Sequence, residues 1–153
     1  MRARLRCVVI AMAGLAQAAP PLALAALGGD VASVQADGAH MKASVRPGVA
    51  VAGYTVQQMT IASGTVVREY VSPAGKVFAV SWHGPTMPDL RQTLGTYFEQ
   101  YTAGASAPHV GHRHLTVRQP DLVVQSNGRP RGFYGRAYVP SLLPANVSID
   151  DIQ

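Results

Sequence analysis

Two β-rich runs joined by a four-residue turn constrain this chain more than any other feature. Residues 65–71 and 76–82 are dense in valine and aromatic side chains, which suit a pleated, half-buried surface. Between them, Ser72-Pro73-Ala74-Gly75 places proline second and glycine fourth, as a type I turn prefers. So tight a reversal pairs its flanking runs antiparallel. Upstream, Tyr54-Val56 and Met59-Ile61 alternate with polar neighbours, and Ala62-Ser63-Gly64 is a turn. The three runs form an antiparallel meander. Period-two alternation puts Phe78, Val80 and Trp82 on one face, and Val77, Ala79 and Ser81 on the other.

Beyond His83-Gly84-Pro85 the period changes. Leu90, Leu94, Tyr97, Phe98 and Tyr101 recur at helical spacing, Pro88 suits a first helical position, and Asp89 suits the positive end of the helix dipole. This amphipathic helix is expected to cover one face of the meander. A polar loop over residues 102–111 leads to strands at 114–118 and 121–125, a turn at Ser126-Asn127-Gly128, and a last strand at 132–139. Residues 27–29 read as a flexible lead-in. Asp30, followed by Val31, Val34 and Met41 on one helical face, predicts an N-terminal helix that Arg46-Pro47-Gly48 ends, with a connector to Gly53. The expected fold is α+β: one domain with an antiparallel sheet of five to six strands, packed by one amphipathic helix and preceded by an N-terminal helix.

The first 25 residues read as an address. Arg2, Arg4 and Arg6 precede an apolar stretch, followed by the A-x-A sites Ala16-Gln17-Ala18 and Ala23-Leu24-Ala25. That is the layout of a secretory signal peptide. Pro20-Pro21 interrupts the apolar stretch and argues against a retained span. Cleavage is expected after Ala25, with Ala18 as the alternative, leaving residues 26–153 as the domain in the periplasm or secreted, with no integral membrane segment. The formal charge of +5 then falls to about +2, which removes most support for a nucleic-acid partner. Cys7 leaves with the segment, so thiol chemistry leaves with it.

Four segments stand out together: Leu27-Gly28-Gly29-Asp30, SGTVVREYVSPAGKVFAVSWHGPTMPDL from Ser63, DLVVQSNG from Asp121, and GRAYVPSLLP from Gly135. They resemble a family of secreted proteobacterial proteins, domain of unknown function 2844, over nearly all of residues 26–153. The resemblance implies an export signal and a single compact domain. It implies no activity, cofactor or catalytic residue.

Three constellations carry possible chemistry. His109, His112 and His114 in PHVGHRH have spacing that lets imidazoles share a metal ion, though no nearby carboxylate or cysteine completes a set and Arg113 opposes a cation. Glu69, mid-strand, and His83, at a strand end, are the candidates for acid–base work if one cleft holds both. Tyr134, Arg136 and Tyr138 alternate onto one strand face opposite Phe133, Ala137 and Val139, and tyrosine and arginine are favoured interface anchors. No G-x-S-x-G, H-E-x-x-H, P-loop or G-x-G-x-x-G occurs. The reading favoured is a noncatalytic binding or accessory module using the Tyr134–Arg136–Tyr138 face for an envelope protein or other extracytoplasmic ligand. A small enzyme using Glu69 and a histidine, and a histidine-loop metal binder, are the alternatives. No cofactor is implied, and oligomeric state is left open.

Overall fold

The structure, a computed structural model, describes residues 27–34, 38–39, 41–51, 53–107 and 114–153. The expected signal peptide lies outside the described residues, as do His109 and His112. Seven strands form one antiparallel sheet: β1 (Ser44–Val51), β2 (Tyr54–Thr60), β3 (Val66–Val71), β4 (Val77–Gly84), β5 (His114–Gln119), β6 (Leu122–Arg129) and β7 (Gly132–Tyr138). Their order is β1-β2-β3-β4-β7-β6-β5, so a four-strand meander and a three-strand meander join where β4 pairs β7. The Ser72–Gly75 turn forms, with the Gly75 N–H donating to the Ser72 carbonyl at 2.9 Å.

The sheet has seven strands, not five to six, because residues read as a helix end and connector are β1. Pro47 cannot donate to a ladder, but β1 is an edge strand and its pairing with β2 shifts register between Arg46 and Val49, which accommodates the proline. Of the expected N-terminal helix, the described residues show a 3₁₀ turn at Val31–Ser33 and helical positions at Val34, Gly38 and Ala39, and from Ser44 onward the chain is strand. The lead-in is fixed in place instead. Gly28 N–H donates to the Val77 carbonyl at 2.8 Å and Val77 N–H to the Gly29 carbonyl at 2.9 Å, while Asp30 pairs with Lys76 at 2.9 Å. These bonds occupy the end of β4 that runs beyond the pairing with β7. Ser126-Asn127-Gly128, expected as a turn, lies inside β6; the chain reverses at Pro130-Arg131, with Arg131 at φ 64°.

The helical segment of 16 residues is interrupted. It comprises α1 (Leu90–Leu94), a 3₁₀ turn at Gly95–Tyr97, and α2 (Phe98–Ala105). Asp89 caps α1, its Oδ1 accepting from the N–H groups of Arg91 at 2.9 Å and Gln92 at 3.3 Å. Gly95, at φ 52°, allows the break between the helices. Leu94 is buried, and Leu90, Tyr97, Phe98 and Tyr101 pack against the same cluster as Met59, Val67, Val80, Trp82, Val124 and Ala137. This is the helical face of the sheet.

The opposite face is covered differently. Tyr70, Phe78, Ala79 and Tyr138 are packed by Val147 and Ile152, with Leu143 and Ile149 against them. These covering residues belong to the segment after β7, which runs through 3₁₀ turns at Pro140–Leu142 and Ile149–Asp151. Phe78 therefore leaves the face expected for it. A register shift between Tyr70 and Val71 opposite β4 turns Phe78 away from Val80 and Trp82.

Candidate functional site

Residues directly opposite in adjacent strands share a face. Register therefore sorts the second face into three rows crossing the sheet. The first runs Thr60, Val66, His83, Tyr134, Asn127, His114. The second runs Gln58, Arg68, Ser81, Arg136, Gln125, Thr116. The third runs Val56, Tyr70, Ala79, Tyr138, Val123, Arg118. Two rows are polar at their centre and one is apolar there. The C-terminal segment covers the apolar row, and its last residues reach the second.

The contacts of that segment are specific. The main-chain oxygen of Gln153 accepts from Ser81 Oγ at 2.7 Å, Tyr70 Oη at 2.8 Å and Arg68 Nη1 at 3.0 Å. Arg136 Nη1 donates to the Ile149 carbonyl at 2.7 Å and the Ile152 carbonyl at 3.3 Å. A glutamine braces each guanidinium: Arg136 Nε donates to Gln125 Oε1 at 2.7 Å, and Arg68 Nε to Gln58 Oε1 at 3.3 Å. Beside this segment a cleft of about 520 Å³ lies over the first two rows. Arg68, His83, Gln125, Asn127, Tyr134 and Arg136 line it from the sheet, and Ile152 and Gln153 form its wall.

Tyr134, Arg136 and Tyr138 do share one face, with Ala137 and Val139 in the core on the other. They do not form one exposed face. Tyr134 is 48% exposed, Arg136 is half-buried under the C-terminal segment, and Tyr138 is only 9% exposed. Glu69 and His83 are separated by the sheet. Glu69 stands opposite Val80, on the helical face, and is 1% exposed, whereas His83 stands opposite Tyr134 at the cleft. One cleft does not hold both. His114 is exposed, its Nδ1 hydrogen-bonded to Asn127 Oδ1 at the end of the first row. Among the described residues no three histidine, cysteine or acidic side chains gather as a metal set.

Sequence reasoning missed Arg68, Gln125 and Asn127 as cleft residues. Arg68 stands two residues before Tyr70 and so shares its face, a signal that alternation offers once strand pairing is known. Asn127 was hidden by its resemblance to a turn.

A family model described as "Protein of unknown function (DUF2844)" matches residues 23–152. The chain belongs to this family. The match takes in both meanders, the helices and the covering segment, so every cleft residue but Gln153 lies within the DUF2844 domain. No curated protein and no solved structure matches the chain.

Proposed function

We propose that this DUF2844 protein is a noncatalytic binding module of the periplasm or extracellular space, and that the cleft beside Tyr134 receives its ligand. One observation carries the reading: a cavity of about 520 Å³ lies on a sheet face where arginines, amides, a histidine and an exposed tyrosine converge. The volume falls in the range of small-molecule sites, about 300–1,000 Å³. Rigid strands hold most of these side chains, and the glutamine braces limit what each arginine loses on binding. The export half of the proposal rests on the arginine-led apolar segment with its A-x-A sites, most of which precedes the matched residues.

A fragment screen read by amide NMR tests the site. Saturable shifts are expected to concentrate at Ser81, His83, Gln125, Asn127 and Tyr134. Tyr134→Ala should weaken the hits about tenfold or more, as loss of an aromatic anchor does. It should change unfolding free energy by no more than about 0.5 kcal/mol, because Tyr134 is exposed. Shifts scattered over the surface, or hits indifferent to Tyr134→Ala, overturn the reading.

A further inference from the structure

Arg68 of β3 and Arg136 of β7 flank Ser81 of β4 in a single row, so two guanidinium groups share one half-buried face with one strand between them. Neither has an aspartate or glutamate partner among the described residues. Lys76–Asp30 is the ion pair recorded among the described residues, and it lies elsewhere. Each arginine uses Nε on a glutamine and Nη1 on main-chain oxygen. Nη2 of each makes no hydrogen bond to another described residue, and both arginines line the cleft.

The surroundings reinforce the imbalance. Among the described residues no aspartate or glutamate side chain lines the cleft, whereas His83, Gln125 and Asn127 add ring and amide N–H groups. At its wall, three side-chain donors converge on one main-chain oxygen of Gln153, the last residue of the sequence. Like charges held together away from bulk water repel, and an anion between them removes that cost. Arginine forks already fixed in orientation suit an oxyanion, which accepts several charge-assisted N–H bonds at once. Tyr134, at the mouth in the same strand as Arg136, offers an aromatic face to whatever the anionic group is attached to.

We infer that the cleft takes an acid: a carboxylate or phosphate received by Nη2 of Arg68 and Arg136, carried on a planar apolar body that lies against Tyr134. This rests on the cleft being the binding site proposed above.

The test compares three probes on the unaltered protein by amide NMR: benzoate, phenyl phosphate, and benzamide as the neutral match to benzoate. The expected result is saturable shifts at Ser81, Gln125, Asn127 and Gly135. The better of the two anions should bind at least tenfold tighter than benzamide and weaken with added salt, and its identity names the oxyanion. Arg68→Gln should cut the ratio of anion to benzamide affinity about tenfold. Because the anion-to-neutral ratio is measured on the unaltered chain, the decision does not depend on how the variant folds. Benzamide binding as tightly as both anions overturns the acid inference and leaves the cleft reading standing. No shift at the cleft with any of the three overturns both.

Discussion

Gly135 faces Trp82 across the β4–β7 ladder, and the absence of a side chain there is what lets the indole approach the strand so closely. A Cβ at this position would stand 2.4 Å from Trp82 Cζ2 and 2.6 Å from the Gln125 carbonyl oxygen. The carbonyl is backbone and cannot yield cheaply, and the indole is buried. Gly135→Ala is therefore expected to cost about 1–3 kcal/mol through overpacking, read as a lowered urea midpoint at unchanged slope. At this scale alternation made part of the site legible. Phe133, Ala137 and Val139 are apolar, so Tyr134, Arg136 and Tyr138 had to face the other way. What alternation cannot give is cover. Tyr138 and Arg136 are buried by residues 149–152, which show no periodicity that would assign them to any face.

Among the elements, the helices and the central strands were readable because long apolar side chains at regular spacing admit few alternatives. Leu94 and Val80 meet in one core as the helix pattern requires. Leu94→Ala should cost about 2–5 kcal/mol, measured by denaturant unfolding, from lost burial and the cavity left behind. Phe98 packs against the same cluster, but Phe78 does not, and its truncation would report on the other face. Strand β1 was illegible because Arg46-Pro47-Gly48 carries every local signal of a stop. An edge position beside a bulge overrides that signal, and sequence does not say which strand lies at the edge. Tyr101 of α2 offers a test of the helix packing. Burial raises its phenol above the ordinary value of about 10. With the folded-state pKa the higher of the two, the unfolded chain releases this proton first. Its share of stability is intact below about pH 10 and is lost as pH rises through the folded pKa. Tyr101→Phe should flatten the decline in urea midpoint on the alkaline side, where Tyr54, also raised, still contributes.

For the whole molecule, the sequence made the α+β class and the antiparallel pairing legible, since two sets of short turns leave a helix as the one long connection. The pairing of β7 with β4, which builds the cleft, was not legible, because no local pattern names a strand's distant neighbour. Processing is also a property of this scale. If the arginine-led segment is an export signal, intact-mass measurement of the exported protein should give a chain starting at Ala26, with Ala19 as the lesser product. A stable form retaining Met1 in the membrane fraction would sink that proposal.

The joint between the two meanders also sets how the chain reaches its folded state. Every other strand pair in the sheet forms between neighbours in sequence, across turns of a few residues. The β4–β7 ladder alone joins residues roughly fifty to sixty positions apart, so its closure entropy must be met before its contacts reward it. The hairpins are thus expected to form as local events before the two halves meet along one seam, and substitutions at that seam should slow refolding most, as stopped-flow measurement would show. Until that seam closes, β4 and β7 each present a bare edge, and the apolar flanks of both halves face water together. The interval before closure is when this chain is most exposed to pairing with another copy of itself, so crowding and slow refolding will act on yield through the same seam that later floors the cleft.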